Sequence, residues 1–277
     1  VYGSPAIAVE VSTGNAANPT TPILNMIVVL PKTVINVDKV GVGWGSTVGV
    51  RVVNCYSSII TTGRINGFGT GLLVTAYGSR GNVYNTYNIG WLENNKVNLS
   101  LSPNSATDWV NENLFVGGRF SHESVEGTDV AGVRHIYLAK STSIVNNNVF
   151  IKPSIEGNTP EYHIECGGSY NQFNQARWEA ATPKVLYTGD NINQATRNII
   201  LGGYGVQNIV YTYTGTTGQK NKTIMAGGGF DTINVPMGLQ NSASSANDVF
   251  RFYEAGTLPE TAGASDWSMG IGSSSTQ

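Results

Sequence analysis

From Ser58 onward one eight-residue phrase returns about every 27 residues. It consists of a polar residue (usually Asn), a variable position, an apolar residue, two variable positions, a small residue, a variable position and an apolar residue. It stands as Ser58-Ile-Ile-Thr-Thr-Gly-Arg-Ile65, Asn85-Thr-Tyr-Asn-Ile-Gly-Trp-Leu92, Asn113-Leu-Phe-Val-Gly-Gly-Arg-Phe120, Asn148-Val-Phe-Ile-Lys-Pro-Ser-Ile155, Asn171-Gln-Phe-Asn-Gln-Ala-Arg-Trp178 and Asn198-Ile-Ile-Leu-Gly-Gly-Tyr-Gly205. The successive spacings are 27, 28, 35, 23 and 27. Self-similarity at such a period is the signature of stacked repeats.

A second phrase runs in phase with it, as short alternating strands: Leu72-Leu-Val-Thr, Val97-Asn-Leu-Ser-Leu, Arg134-His-Ile-Tyr-Leu, Tyr162-His-Ile-Glu-Cys, Lys184-Val-Leu-Tyr-Thr and Asn208-Ile-Val-Tyr-Thr. The long unit appears in both series, which places a polar insertion at Ser121 to Val133. Runs with helical periodicity are nearly absent here.

Two strands in roughly 25 residues cannot bury a hydrophobic face alone, but stacked units can. A propeller blade needs about 40 residues or more, and a leucine-rich repeat would show its Leu spacing. The expected fold is all-β, a right-handed parallel β-helix with about 23–28 residues per coil and coils about 4.8 Å apart. Ile, Val, Leu, Phe and Tyr form its inward columns. The Asn positions form a ladder of side-chain amides that satisfies backbone groups above and below.

Residues 1–46 carry apolar stretches without a clean copy of the phrase, and read as irregular first coils or an N-terminal cap. The β-helix is expected over 47–233, and 234–277 as a C-terminal cap or the start of a further module. Cys166 points inward in register with Leu138 and Thr188. Cys55 lies about four coils away, roughly 20 Å, too far for a disulfide. With 34 Gly and 12% charged residues the composition suits a turn-rich β protein, and a net charge of −2 gives no electrostatic case for nucleic acid. The longest apolar run, Ile23 to Leu30, is too short to span a bilayer. No spacing calls for a metal or other cofactor.

Two outward columns flank the eighth position of the phrase. The seventh-position column reads Arg64, Trp91, Arg119, Ser154, Arg177, Tyr204, and the ninth Asn66, Glu93, Ser121, Glu156, Glu179, Val206. Aromatic faces stack on sugar C–H surfaces, and Arg and Glu reach hydroxyls in planar fashion, so Arg64, Trp91, Glu93, Arg119, Arg177 and Tyr204 are candidates for binding an extended polysaccharide. The same residues can serve simply as a solvated sheet face. Glu156 and Glu179 share a repeat position on adjacent coils, about 5 Å apart, which makes them the candidate catalytic carboxylates. Proximity would raise the pKa of one of them, and Arg177 stands close enough to neutralise Glu179. Glu123, Glu126 and Asp129 in the insertion can also reach a neighbouring face. On the second strand, His135 and His163 stack at positions expected to face outward, with Glu165 and Tyr187 in the next outward column. The switch to apolar Val185 below the histidines predicts a face covered by another copy of the chain.

The segments Ile144-Val-Asn-Asn-Asn-Val-Phe150, Ile155-Glu-Gly157 and Tyr170-Asn-Gln-Phe-Asn-Gln-Ala-Arg-Trp-Glu179 resemble coils of phage tailspike and tail-fibre proteins of the pectate-lyase-like β-helix superfamily. The resemblance is architectural and covers about residues 46–233. It implies a homotrimer in the virion tail or another extracellular setting, joined to other tail proteins, that binds and in many members cleaves a host surface polysaccharide. The calcium-binding acids and Arg cluster of pectate lyases have no match, so any cleavage is expected to be hydrolytic. The competing expectation is a non-catalytic structural or adhesive β-helix.

Overall fold

The computed structural model of the chain describes residues 7–12, 22–30, 32–35, 44–122, 131–140, 144–157, 160–189, 194–206, 209–215 and 221–224. The chain divides into two compact units, Val1–Pro236 and Met237–Gln277, and the described residues all belong to the first. Glu123, Glu126, Asp129 and the stretch 234–277 lie outside the described residues.

The described residues are all-β, without an α-helix among them, and their strands pair in parallel. Strands of the Asn phrase are β3 (Ile27–Val29), β7 (Ile59–Thr61), β11 (Thr86–Glu93), β14 (Leu114–Ser121), β16 (Val149–Ile151), β19 (Gln172–Asn174), β22 (Ile199–Leu201) and β24 (Lys222–Ile224). They stack in that order, one repeat on the next. The same sheet continues past the small residue of the phrase through β4 (Thr33–Ile35), β8 (Arg64–Asn66), β17 (Ser154–Ile155) and β20 (Arg177–Trp178). A second sheet stacks β1 (Ile7–Val11), β5 (Val48–Val53), β9 (Thr70–Thr75), β12 (Val97–Leu101), β15 (Arg134–Leu138), β18 (Tyr162–Cys166), β21 (Lys184–Gly189) and β23 (Val210–Gly215). A short third sheet holds β2 (Ile23–Leu24), β6 (Cys55–Tyr56), β10 (Gly81–Val83) and β13 (Trp109–Asn111). Side chains from all three sheets meet in one hydrophobic cluster.

Parallel register makes each inward position a column. Third-position residues Ile60, Tyr87, Phe115, Phe150, Phe173 and Ile200 lie in line, as do eighth-position residues Ile65, Leu92, Phe120, Ile155 and Trp178. All of these are buried, and each contributes about 1.5–3 kcal/mol of hydrophobic stabilisation. Strand spacing then imposes ring stacking, with centroids 4.8, 4.7 and 4.6 Å apart from Tyr87 through Phe115 and Phe150 to Phe173.

The first position of the phrase forms a continuous amide ladder. The backbone N–H of Ser58 donates to Asn85 Oδ1 at 2.9 Å, and those of Asn85, Asn113, Asn148 and Asn171 donate to the next Asn Oδ1 at 3.1, 3.2, 3.0 and 2.9 Å. Asn198 continues the ladder to Asn221 at 2.9 Å. Each ladder Asn also donates through Nδ2 to a buried carbonyl, for example Asn113 to Asn82 O at 2.8 Å. In this way the buried turn meets its backbone hydrogen-bonding needs with side chains. The residue before the first position of the repeat is left-handed at Asn25, Ser57, Tyr84, Glu112, Asn147, Tyr170 and Arg197, with φ between 48° and 59°. Such a φ is unfavourable for a non-glycine residue, and the ladder bonds on its C-terminal side oppose that cost.

The small sixth position has a steric cause. A Cβ on Gly63 would lie 2.0 Å from Lys32 O, and one on Gly90 would lie 2.4 Å from Gly63 O. Successive backbones come into contact where the chain changes direction, which Gly117, Lys152, Gln175 and Gly202 achieve with positive φ. The turn divides the outer surface of the sheet. Before it, the outward positions are largely apolar, with Ile27, Val29 and Ile59 exposed. Beyond it, they carry the arginines and glutamates.

The second sheet departs from the sequence expectation in two ways. First, β18 and β21 pair one residue out of the expected register, with Ile164 beside Val185 and Cys166 beside Tyr187. A one-residue slip exchanges the faces of a strand, so Tyr187 points into the core and is buried, whereas it was expected on an outer surface. Second, pairing skips the second residue of the strands: Val97 pairs with Arg134 and Leu99 with Ile136, passing over Asn98 and His135. Two consecutive residues of each strand are buried at that point, and Asn98, His135 and His163 are among them. The two histidines are therefore not surface residues. Glu165 alone of that group reaches the surface, where it forms an ion pair with Arg134, which also contacts Glu161 at 2.9 Å. Cys55 and Cys166 are buried free thiols, and burial pushes the Cys166 thiol up to about 12.

Candidate functional site

The seventh- and ninth-position columns line up as the repeat predicts. Trp91 pairs with Arg119, Arg119 with Ser154 and Ser154 with Arg177, while Asn66 pairs with Glu93 and Glu93 with Ser121. Side chains two residues apart on a strand share a face, so each repeat contributes one residue to each column.

Arginines and carboxylates alternate along this face. Glu93 is buried and forms an ion pair with Arg64, accepts from Asn66 Nδ2 at 3.2 Å, and lies 3.8 Å from Arg119 Nη1. Arg119 Nε donates to Glu156 Oε2 at 2.7 Å, and Ser154 Oγ donates to Glu156 Oε1 at 2.8 Å. Arg177 forms an ion pair with Glu179 on its own strand end, the neutralisation that its spacing suggested. The Arg119 guanidinium carbon also stands 5.2 Å from the centre of the Trp91 ring, within cation–π range. Trp91 is 51% exposed and Tyr204 72% exposed, so two aromatic rings are open to solvent at separate repeats of a charged face.

Glu156 and Glu179 occupy the same position on neighbouring repeats but turn to different arginines. Burial acts to raise the Glu156 carboxyl. Hydrogen bonds from Arg119 and Ser154, with the charges of Arg119 and Arg177, outweigh burial and hold it below the usual carboxylate range. Glu156 is thus held toward its anionic form, which suits it to accepting hydrogen bonds.

Behind this face lies a polar cluster that the sequence reading placed elsewhere. His135 Nε2 is 2.7 Å from Glu156 O, and His163 Nε2 is 2.8 Å from Gly157 O. Their rings meet edge to face at 5.3 Å. Asn95 and Asn98 form the start of the same buried column, with Asn95 Nδ2 donating to Asn98 Oδ1 at 2.9 Å. The Asn95-x-x-Asn98 pair and the recurrence of His after it are the sequence signals for this column. Among the described residues, no group of three or more His, Cys, Asp or Glu side chains is arranged to hold a metal ion. No described helix is long and apolar enough to cross a membrane.

No family model, no curated protein and no solved structure gives a significant match to this chain.

Proposed function

We propose that the chain is a right-handed parallel β-helix of the tailspike kind, a receptor-binding protein that recognises an extended host surface polysaccharide. The observation that carries the reading is the face on which Arg64, Glu93, Arg119 and Glu156 alternate along successive repeats, with Trp91 and Tyr204 exposed on two separate repeats. A repeating ligand is suited by a repeating face: rings for its apolar C–H surfaces, and fixed donors and acceptors for its hydroxyls. The solenoid reading is supported by three parallel sheets whose strands follow one another in sequence order around one core. Under this reading Glu156 recognises a hydroxyl rather than protonating a glycosidic oxygen. Any cleavage would use a different acid.

The proposed assembly is a homotrimer in the virion tail or another extracellular setting, alongside other tail proteins. The apolar outer positions of the Asn-phrase sheet, Ile27, Val29 and Ile59 among them, support self-association. Sedimentation should give three times the chain mass of 29.4 kDa, and a monomer at micromolar concentration would refute the assembly.

A purely structural or adhesive β-helix is the second reading. The mutual pairing of arginines and glutamates on this face favours it, because they need no ligand to be satisfied. Binding to a panel of immobilised bacterial surface polysaccharides separates the two. Trp91→Ala should weaken the tightest interaction by about 2 kcal/mol, roughly thirtyfold in Kd. If no polysaccharide binds, or if the variant binds as well as the parent, the structural reading stands. New reducing ends without unsaturated sugars in the same incubation would reveal hydrolysis.

A further inference from the structure

The charges of the seventh- and ninth-position columns cancel. Together they hold three arginines, Arg64, Arg119 and Arg177, and three glutamates, Glu93, Glu156 and Glu179, and every other member is uncharged. The cancellation is local as well as total, because Arg64 is paired with Glu93, Arg119 with Glu156 and Arg177 with Glu179. Arg119 is the least exposed of the three arginines. Its Nε donates to Glu156 Oε2 at 2.7 Å, its Nη1 lies 3.8 Å from Glu93 Oε2, and the Trp91 ring covers one side of the guanidinium. Lys152 stands on the turn, at the fifth position of the phrase and outside both columns.

In the first two pairs the carboxylate is the more shielded partner. Side-chain exposure is 3% at Glu93 and 17% at Glu156, against 45% at Arg64 and 35% at Arg119. An anionic sugar that took a guanidinium edge from either pair would leave that carboxylate without its cation, in a place where water compensates it poorly. It would also meet a like charge beside every arginine it approached. An uncharged sugar meets neither cost. Its hydroxyls can donate to the carboxylate oxygens and accept from guanidinium N–H groups while the pairs stay together, and its C–H faces can lie on exposed Trp91 and Tyr204.

We infer that this face selects an uncharged polysaccharide and excludes acidic ones, because each of its arginines is already committed to a glutamate of the same face. The selectivity rests on the polysaccharide-binding reading and names the class of ligand within it. It also constrains the chemistry. Eliminative cleavage of a glycosidic bond needs a uronate carboxyl group to acidify the neighbouring ring hydrogen, and an uncharged polymer has none. Cleavage of such a polymer is hydrolytic: the anomeric carbon takes the oxygen of water, the leaving oxygen takes a proton, and no unsaturated sugar forms.

The full chain is tested against immobilised neutral polymers (mannan, galactan and neutral bacterial O-chains) and acidic ones (alginate, hyaluronan and uronate-bearing capsules), at low and at high salt. The parent should bind among the neutral polymers only, with an affinity that changes by less than about twofold between the two salts, since salt screens charge and not ring stacking. Glu156→Gln frees Arg119 and should raise retention of the acidic polymers by about fivefold at low salt, a gain that high salt should abolish. Glu179→Gln should do the same through Arg177, the most exposed of the arginines, and decides the matter if the first variant does not fold. An acidic polymer that the parent holds more tightly than any neutral one would overturn the selectivity and leave a polysaccharide-binding face. Retention of acidic polymers that stays at the parent's level in both folded variants would overturn it equally, because pairing would then not be what excludes them. A parent that binds no polymer of either class would overturn the polysaccharide reading and the selectivity with it.

Discussion

Asn148→Ala should destabilise the protein by about 3–5 kcal/mol, one of the largest effects available to a single polar substitution here. Asn148 Oδ1 accepts both the backbone N–H and the Nδ2 of Asn113, at 3.2 and 3.1 Å. Its Nδ2 donates to Val110 O and to Asn171 Oδ1, both at 3.1 Å. The side chain is fully buried, so water cannot replace these partners. Removing it leaves a buried backbone N–H unmet at Asn113, and such a group costs about 1–3 kcal/mol by itself. Asn148→Asp is expected to be at least as damaging, because an ionised carboxylate cannot donate and would face Asn171 Oδ1 in a water-free turn. At the edge of the ladder Ser58 uses its hydroxyl for Met26 N–H at 3.0 Å and Tyr56 O at 2.8 Å, and Ser58→Ala should cost only about 1 kcal/mol. Urea unfolding of these variants gives the comparison. An Asn148→Ala loss below that of Ser58→Ala would refute the ladder as a stabilising element.

The same contrast explains what could be read from sequence. A buried amide that must satisfy backbone above and below admits few substitutes, so the ladder from Ser58 to Asn198 announces itself as a recurring letter. Asn221 escaped because its repeat has Thr223 in the apolar slot and Gly228 in the last one. The inward columns of the Asn-phrase sheet were equally legible, since apolar residues alternate with polar ones around a fixed small residue. Lys184-Val-Leu-Tyr-Thr188 was not, because Val and Tyr or Leu and Thr can each face inward on an alternating strand. Burying Val185 and Tyr187 removes more apolar surface from water, and that register is the one found. His135 and His163 were assigned outward on strict alternation, which fails where two consecutive residues of a strand are buried. On the ligand face the repeat placed the columns. It could not say that Arg119 would reach down to Glu156 while lying against Trp91, because rotamers answer to neighbours that a spacing does not specify.

Phe150→Ala should cost about 5 kcal/mol, at the upper end for a core truncation. The ring lies between Phe115 and Phe173, nearly parallel to both, with interplanar angles of 11° and 10°. Truncation forfeits its own burial, leaves a cavity, and breaks two aromatic contacts worth about 0.5–1.5 kcal/mol each beyond area. The cavity is slow to collapse, because its walls are rings held at strand spacing by backbone pairing on either side. Phe150→Leu keeps most of the volume and should cost about 1–2 kcal/mol. Position in the stack matters as much as size. Each repeat touches only its neighbours, so stability in such an array is approximately a sum of unit and interface terms. A break at Phe150 weakens two interfaces in the middle of the column, and it should broaden the urea transition or split it in two as well as lower its midpoint. Ile200→Ala, near the far end, should shift the midpoint while leaving the transition sharp. If Phe150→Ala unfolds in one transition as steep as the parent's, the repeats are coupled more widely than through neighbouring rings, and the column is not the axis along which stability is transmitted.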